Sequence, residues 1–245
     1  MDCSSHESEV VEPQRRNEVM NEKDAKIAEL EAQIAALKNA PPILVEAASR
    51  EGRKLDLGCG LTPLDGHEGV DLFGDKAKHK VDLFKFPWPF ESNSVEAINA
   101  SHLLEHVPAR EIEARDIVEG TSPEVAARFV GVDMLFAFMD ECYRILKPDC
   151  WMQAIVPSGR SNRAFWDPTH RRFFMQETFL YFSADWRKAN NLQHYNVRCN
   201  FGVEVIHSMP NEEGLRSAEV QAERFRTLWN VTVDWLAKLK KLPPI

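Results

Sequence analysis

The residues of this chain that can do chemistry stand where short apolar runs end. Gly58 and Gly60 follow the run 54–57, and glycine lacks the Cβ atom that would keep a ligand from the backbone. Asp71 lies in a second run, 69–72, where its carboxylate can accept hydrogen bonds from two ribose hydroxyls. The pattern predicts a site for an adenosine-bearing ligand at the ends of buried strands.

Further segments sharpen this prediction, because Gly-x-Gly alone is shared by nicotinamide, flavin and methyl-donor enzymes and by ordinary turns. The segments are Leu55-Asp56-Leu57-Gly58-Cys59-Gly60, Gly69-Val70-Asp71, Asp82-Leu83, His102-Leu103-Leu104-Glu105-His106 and Arg144-Ile145-Leu146-Lys147-Pro148. In order and spacing they resemble the class I S-adenosylmethionine-dependent methyltransferases over residues 54–158. The resemblance implies an α/β fold, with a Rossmann-like, doubly wound, mostly parallel sheet and S-adenosylmethionine at its C-terminal edge.

The resemblance also implies a role for each matching position. Asp56, Gly58, Cys59 and Gly60 would border the methionine part of the donor, Asp71 and Leu72 the ribose, Asp82 and Leu83 the adenine, and Ser101 and His102 the transferring methyl. The chain departs from the family pattern in its first crossover. Because only residues 57–70 separate Asp56 from Asp71, we expect the loop 61–68 to replace the first helix.

Methyl transfer to a hydroxyl requires a base that removes a proton near the donor methyl. His102 follows the predicted fourth strand and suits this task; the alternative is a histidine that bonds to the backbone at a helix start. His170 with Asp167 is a second candidate pair, although Asp167 before Pro168 is also a typical turn former. His106 is interpreted as structural, and since no ligand spacing links it to other histidines the sequence predicts no metal site.

The segment 157–200 loses periodicity after the predicted strand 151–156, and α/β folds place substrate recognition in such segments. Within it we expect residues 160–174 to form a mobile lid over the acceptor. The residues expected to bind the acceptor are Arg160, Arg163, Trp166, Arg171 and Arg172. They favour an anionic small molecule, nucleotide or sugar that is methylated on oxygen or nitrogen.

Length and composition restrict the class of protein. The 245 residues suffice for one α/β domain, and the net charge of −8 disfavours non-specific binding to nucleic acid. Five scattered cysteines without a Cys-x-x-Cys pair predict reduced thiols. No apolar run is long enough for a membrane span and residues 1–7 do not resemble a signal peptide, so we expect a cytoplasmic protein.

The N-terminal residues divide into a polar lead-in, 1–22, and a predicted amphipathic helix, 23–38. Its apolar positions alternate at spacings of three and four: Ile27, Leu30, Ile34 and Leu37. The helix either packs on its own domain or pairs subunits as a short coiled coil through residues 20–38, which makes the protein a homo-oligomer. Pro41 and Pro42 end it, and the methyltransferase-like domain is predicted to span 43–245.

Other elements follow from apolar periodicity. Helices are predicted at 103–117, 124–146 and 217–239, with Thr121 or Ser122 capping the second, and a closing hairpin at 193–200 with 201–206. The aromatic loop 84–90 is expected to cover the edge of the sheet.

Two rival functions belong to other classes. One is a non-catalytic scaffold subunit that descends from the same fold and is oligomerised by its N-terminal helix. The other is a nicotinamide-dependent oxidoreductase, which requires Gly-x-Gly-x-x-Gly opening a full helix, whereas Leu64 stands near the place of the third glycine.

Overall fold

The computed structural model describes residues 52–244. The predicted lead-in 1–22 and helix 23–38 lie outside the described residues. Of these, residues 52–214 and 218–244 belong to one compact unit.

Six strands form a single mixed sheet: β1 (Arg53–Leu57), β2 (Glu68–Val70), β3 (Val95–Ser101), β4 (Leu146–Pro157), β5 (Phe201–Ser208) and β6 (Asp234–Lys241). Their order is β2-β1-β3-β4-β6-β5. The pairs β1–β2, β1–β3 and β3–β4 are parallel, and β6 lies antiparallel between β4 and β5. Because the chain passes from β2 on one side of β1 to β3 on the other, the strand order reverses there, and the switch point lies between β1 and β3.

One face of the sheet carries the core. Side chains alternate between the two faces of a strand, so every second residue points to that core. The buried residues that share this face are Leu55, Leu57, Ile98, Ala100, Met152, Ala154, Val156, Trp235, Ala237 and Leu239. The long helix, Met134–Ile145, contributes Phe138, Met139, Cys142 and Ile145 to the same core cluster.

The described α-helices are short, with one exception. They are α1 (Pro123–Ala126), α2 (Met134–Ile145), α3 (Arg163–Trp166), α4 (Ala184–Ala189), α5 (Asn211–Gly214) and α6 (Ala218–Thr227). Single turns and one longer stretch of 3-10 helix lie at Leu104–His106, Ala114–Asp116, Gln176–Phe182 and Gln193–Tyr195. Ser122 accepts a hydrogen bond from the Val125 amide and Pro123 begins α1, as predicted.

Two of the helix predictions were wrong in extent. The segment 103–117 holds only two 3-10 turns, and the segment 124–146 is divided between α1 and α2. Gly131 stands in this break with a φ of 80°, a conformation that ends a helix. Apolar periodicity persisted across the break because Phe129 and Leu135 face the same core on either side of it.

The C-terminal elements also differ from the prediction. Residues 193–200 form no strand, and the closing hairpin pairs β5 with β6 instead. The predicted helix 217–239 ends at Thr227, and residues from Asp234 onward are strand β6. The β-branched run Val231-Thr232-Val233 marks this change, since such residues favour strand over helix.

Two features of the first half agree with the sequence. Turns replace a helix between β1 and β2, so the first crossover is a loop. The aromatic loop 84–90 is folded into the core, with Phe86, Trp88 and Phe90 buried. No strand forms at 80–83, and one parallel bridge joins Val70 to His79 just before it.

In the part of the chain that the structure describes, no helix has the length and apolar character needed to cross a bilayer.

Candidate functional site

The glycine loop after β1 is tied to the end of β2 by the carboxylate of Asp71. Gly58 and Gly60 both adopt left-handed backbone, with φ values of 66° and 57°. Asp71 Oδ2 accepts the Gly60 amide at 3.0 Å, and Oδ1 accepts the amides of Phe73 and Gly74, each at 2.8 Å. Partial burial acts to raise the pKa of Asp71, but these three amide donors hold the pKa below its ordinary value. Asp71 therefore stays ionised and fixes the loop.

The space beside this loop suits a ligand. A Cβ atom on Gly60 would meet no other atom within 4 Å, so the backbone borders open space there. Leu61, Leu72 and Phe73 expose apolar side chains around it. Gly74, which the sequence interpretation missed, closes the loop from behind, because a Cβ there would come within 2.1 Å of the Gly60 carbonyl oxygen.

Asp56 has a structural task rather than an exposed one. It is 5% exposed, and its Oδ1 accepts the Asn99 side-chain amide of β3 at 2.7 Å while its Oδ2 accepts the Leu64 amide at 2.9 Å. Asn99 in turn accepts a bond from Gln153 of β4 at 3.4 Å. Asp56 thus ties the switch-point strands together and anchors the loop that replaces the first helix.

The remaining positions predicted for the donor have distinct surroundings. Asp82 accepts the Phe84 amide at 3.0 Å, and Leu83 is buried in the core. Burial raises the pKa of Cys59, and the carboxylates of Asp56 and Asp71 add to this effect. Cys59 is therefore a neutral thiol rather than a nucleophile.

Ser101 and His102 leave β3 at the same edge, next to the glycine loop. His102 adopts a left-handed backbone with a φ of 52°, which is uncommon for a residue with a Cβ atom and turns its side chain out of the strand. Its Nδ1 lies 3.2 Å from Glu105 Oε1. This hydrogen bond raises the pKa of His102, although partial burial opposes it. The structure therefore shows an imidazole at the end of β3 that contacts the Glu105 side chain in the following 3-10 turn, rather than a backbone group.

Three buried side-chain oxygens of the described residues have no hydrogen-bond partner, and they lie in segments that adjoin β3 and β6: Glu105 Oε2, Thr232 Oγ1 and Asp234 Oδ1. Glu105 contacts His102, and Asp234 opens β6 opposite Pro157 at the same edge. Burial raises the pKa of Asp234; Arg163, at 2.6 Å from Oδ2, and His102 oppose this, and the Glu105 charge adds to it. Unpartnered buried polar atoms are rare and costly, so this side of the site retains unused hydrogen-bonding capacity.

The expected pair of Asp167 with His170 is not formed as a hydrogen bond. Asp167 Oδ1 accepts the Thr169 amide at 2.7 Å and the Thr169 hydroxyl at 2.6 Å, which is the turn-former role. His170 Nδ1 contacts the Ala164 carbonyl at 2.9 Å, and its ring lies 4.8 Å from that of His106. His170 and His106 thus come together beside Glu105, a grouping that the sequence interpretation missed.

The arginines of the segment 160–174 have partners within the chain. Arg160 binds three carbonyls at the end of α6, Arg163 binds Asp234, and Arg172 binds Asp133 and the carbonyls of Val107 and Pro108. Arg171 is exposed, and its guanidinium contacts only the carbonyls of Pro168 and His170. The amides of Arg171 and Arg172 also donate to the Glu105 carbonyl, which ties the segment to the turn after β3.

Exposed aromatic side chains surround this segment. Trp166 is 73% exposed, and the rings of Phe165 and Phe173 stack at 4.7 Å with Trp229 beside them. An apolar surface of this kind at the C-terminal edge can contact a planar or apolar part of an acceptor. A separate cleft, lined by Asn93, Asp140, Arg198 and Lys241 among others, lies at the opposite edge of the sheet, where β3 begins.

Comparison with known proteins found solved structures that resemble this chain. A methyltransferase from Archaeoglobus fulgidus described as S-adenosylmethionine-dependent shares 19% identity over 89% of this chain and 94% of its own, with a TM-score of 0.47. A second one, from Mesorhizobium loti, shares 14% identity over 77% and 90%, with a TM-score of 0.40. Geranyl diphosphate C-methyltransferase from Streptomyces coelicolor, solved with Mg²⁺, geranyl diphosphate and S-adenosyl-L-homocysteine, shares 14% identity over 90% and 84%, with a TM-score of 0.39.

No protein-family model matches the chain. No curated protein matches it either. With identities of 14–19% and TM-scores below 0.5, the function must be argued from the residues of the site.

Proposed function

We propose that this protein is an S-adenosylmethionine-dependent methyltransferase that methylates an oxygen or nitrogen of a small acceptor. One observation carries the proposal: an ionised Asp71 holds a left-handed glycine loop at the end of β1, and an imidazole oriented by Glu105 ends β3, the adjacent strand across the switch point. The loop and Asp71 lie on the β1–β2 side, and His102 ends the neighbouring strand β3. A donor with a ribose and a reactive methyl can therefore lie across the two strand ends.

The residues present fit this donor. Asp71 is only partly buried, and a carboxylate offers about four acceptor sites, of which three hold amides, so one remains for a ribose hydroxyl. Gly60 gives access to the backbone, because a Cβ there would meet no other atom within 4 Å. We assign Leu72, which is exposed, to the ribose and Asp82 to the adenine. When bound, S-adenosylmethionine supplies a methyl group activated on a sulfonium.

His102 is the residue that we assign to proton removal. Because its Nδ1 hydrogen points at Glu105 Oε1, the lone pair of the neutral imidazole is on Nε2. His102 Nε2 would take the proton that the acceptor atom loses when it is methylated. Glu105 holds the ring in this tautomer, in the same way as a buried carboxylate orients a catalytic histidine.

Nicotinamide chemistry lacks support at the same place. Dinucleotide sites bind the pyrophosphate at the N-terminus of a helix that follows the first strand. Between β1 and β2 this chain has turns rather than a helix. The loop therefore offers no helix dipole for a pyrophosphate.

For the acceptor we propose a small molecule or nucleotide or sugar with an apolar or planar portion. The exposed rings of Phe165, Trp166 and Phe173 provide the contact surface. Arg171 is the exposed arginine of the segment and the one that we assign to an anionic group of the acceptor.

Calorimetric titration of the full chain tests the donor. We expect micromolar binding of S-adenosylmethionine and S-adenosylhomocysteine and none of NAD. Tight NAD binding without either methyl-cycle ligand would overturn the proposal. Transfer of labelled methyl from the donor into a fractionated metabolite extract distinguishes an enzyme from a scaffold subunit that merely binds the donor.

We further propose that residues 20–38 pair two copies of the chain. The alternating apolar positions Ile27, Leu30, Ile34 and Leu37 support this proposal. Deleting residues 1–38 should lower the mass measured by light scattering and leave donor affinity unchanged. A full-length chain that is already monomeric at high concentration would contradict pairing.

A further inference from the structure

Three side chains of types that can bind a metal meet beside the candidate active site, although His170 is distant in sequence from Glu105 and His106. Glu105 and His106 lie on the 3-10 turn after β3, and His170 lies in the irregular segment after β4. One ligand atom from each of the three lies within 4.8 Å of the others. The amides of Arg171 and Arg172, which donate to the Glu105 carbonyl, hold the two segments together.

The hydrogen bonds around His170 define its tautomer. A backbone carbonyl can only accept, so the contact of 2.9 Å between His170 Nδ1 and the Ala164 oxygen requires a hydrogen on Nδ1. In the neutral ring the lone pair is then on Nε2.

The hydrogen bond between His106 and Thr169 defines the tautomer of His106 in the same way. The Thr169 hydroxyl has one hydrogen and donates it to Asp167 Oδ1 at 2.6 Å, because a carboxylate can only accept. The contact of 3.1 Å between Thr169 Oγ1 and His106 Nδ1 is therefore a bond that His106 donates. Both imidazoles thus carry their hydrogen on Nδ1 and keep a lone pair on Nε2.

Glu105 is the third side chain of the cluster, and one of its carboxylate oxygens makes no hydrogen bond to the described residues. The residue is 1% exposed; Oε1 contacts His102, and Oε2 has no hydrogen-bond partner among the described residues. Burying an unpaired carboxylate oxygen is costly unless a cation or a donor satisfies it.

We propose that Glu105, His106 and His170 bind a divalent transition-metal ion, with Zn²⁺, Fe²⁺ and Co²⁺ as the chemical class. Two imidazoles and one carboxylate are a ligand set that these ions prefer, and three protein ligands leave a position open for an oxygen of a substrate or water. Donation of the second ring hydrogen to a carbonyl, or to a hydroxyl that is backed by a carboxylate, is the arrangement that orients metal-binding histidines. Ligand atoms of a tetrahedral zinc site lie roughly 3.4 Å apart, so the side chains close by about an ångström on binding.

The position of the ion gives it a role that rests on the proposed function. Glu105 would join the ion, through Oε2, to His102, through Oε1. An acceptor hydroxyl at the open position would become more acidic and lie near the base. Metal binding itself requires neither donor nor acceptor, so it is measured without them.

The test uses the full chain treated with a chelator and titrated with Co²⁺, with visible absorption as the readout and Zn²⁺ as competitor. We expect one equivalent of Co²⁺ to bind, with a visible absorption spectrum typical of Co²⁺ held by nitrogen and oxygen ligands. Removing an outer partner of a metal ligand costs 10–100-fold in affinity, so His106→Gln and His170→Gln should each weaken binding by about 100-fold or more. Thr169→Val, which removes the acceptor of the His106 ring hydrogen, should weaken it by about 10–100-fold.

Two controls separate this site from other metal binding. His194→Gln removes an exposed histidine outside the cluster and should leave affinity unchanged. Circular dichroism melting is the second control and verifies that each variant is folded. Glu105→Gln tests the third ligand: it keeps the size of the side chain, removes the charge and should weaken metal binding. A thiolate charge-transfer band, or an affinity that His106→Gln and His170→Gln leave unchanged, would overturn the assignment. Donor affinity measured on the same samples shows whether the proposed methyltransferase function survives that outcome.

Discussion

The two sides of the sheet's C-terminal edge use their polar groups in opposite ways. On the β1–β2 side, Asp56 and Asp71 together accept five hydrogen bonds, four from backbone amides and one from Asn99. On the β3–β6 side, Glu105, Thr232 and Asp234 each keep a buried oxygen without a partner. On the first side every oxygen of these two carboxylates has a hydrogen-bond partner in the described chain, whereas on the second side three buried oxygens have none.

This difference indicates which part of the reaction each side of the site serves in the proposed mechanism. A loop fixed by its own carboxylates is preorganised, so a ligand that binds there does not have to order it. Buried oxygens without partners lower the stability of the folded chain, and such costs occur where function requires the group. The preorganised side suits the donor, which is the same in every turnover. The incomplete side suits the acceptor, the proton and an ion.

The largest expected effect is on catalysis, at His102. We expect His102→Asn to lower the rate of methyl transfer by about 10²–10⁴-fold, the usual contribution of a general base, with donor affinity unchanged. Asparagine is chosen because it tolerates the left-handed backbone at this position. His194→Asn, at an exposed histidine away from the edge, serves as the matched control. Equal loss in both variants, or none in either, would remove His102 from the mechanism.

The next largest effect concerns the donor side. Asp71→Asn should weaken S-adenosylhomocysteine binding by about 10–100-fold, because an amide nitrogen cannot accept the Gly60 hydrogen bond or a ribose hydroxyl. Asp75→Asn, at an exposed carboxylate four positions away, should change nothing. An analogue that lacks the ribose hydroxyls separates the two roles of Asp71. If Asp71 contacts the ribose, the substitution should cost less affinity for the analogue than for the natural ligand.

The loop that we assign to the donor could be predicted from the sequence because its residues are local. Gly58, Gly60 and Asp71 can be recognised from their residue types and from the short apolar runs that precede them. The short interval between Asp56 and Asp71 predicted the loop that replaces the first helix. Gly74 was missed because its role depends on a through-space approach to the Gly60 carbonyl. No sequence pattern records such an approach.

The side that we assign to the acceptor depends on contacts between segments that are distant in sequence. Those contacts could not be predicted from the sequence. His106 and His170 meet only because the backbone of Arg171 and Arg172 docks on Glu105, and neither spacing nor periodicity contains that docking. The arginines were expected to meet an anion, yet most of them bind carbonyls and carboxylates of their own chain. The C-terminal strand was mistaken for a helix, because Trp229, Leu236 and Leu239 happen to fit helical spacing as well.

A third carboxylate, Asp140, extends the comparison, because it shows that two amide donors do not always hold the pKa of a carboxylate below its ordinary value. Asp140 of α2 accepts the amides of Arg198 and Cys199, as Asp71 accepts its amides, but burial raises the pKa of Asp140 from 3.8 to about 6. Between pH 4 and 6 the native state therefore holds a proton that the unfolded chain has released. The free energy of unfolding falls as pH rises through this range, and the full cost is present above pH 6.

Asp140→Asn removes this titration and can keep both amide bonds through its carbonyl oxygen. We expect the variant to match the wild type near pH 4 and to be more stable by about 1–3 kcal/mol at pH 7.5. Urea denaturation at the two pH values measures the difference. Equal stability of the two proteins at both pH values would mean that the burial of Asp140 carries no electrostatic cost.

The smallest expected effect is the most direct test of the incomplete side. Thr232 is 2% exposed and its hydroxyl has no partner in the described chain, so Thr232→Val replaces an unsatisfied polar group with a methyl of similar size. We expect the free energy of unfolding to rise by about 1 kcal/mol, because removing an unpaired buried group recovers its desolvation cost.

Thr178→Val is the matched control: its hydroxyl accepts the Met175 amide at 3.0 Å, so the same substitution should lower stability by about 0.5–1.5 kcal/mol. If the Thr232 hydroxyl is reserved for the acceptor, the stabilised variant should also show a raised KM for acceptor at unchanged donor affinity. A loss of stability in Thr232→Val equal to that in Thr178→Val would show that the hydroxyl is satisfied in solution, and the contrast between the two sides would then rest on Glu105 and Asp234 alone.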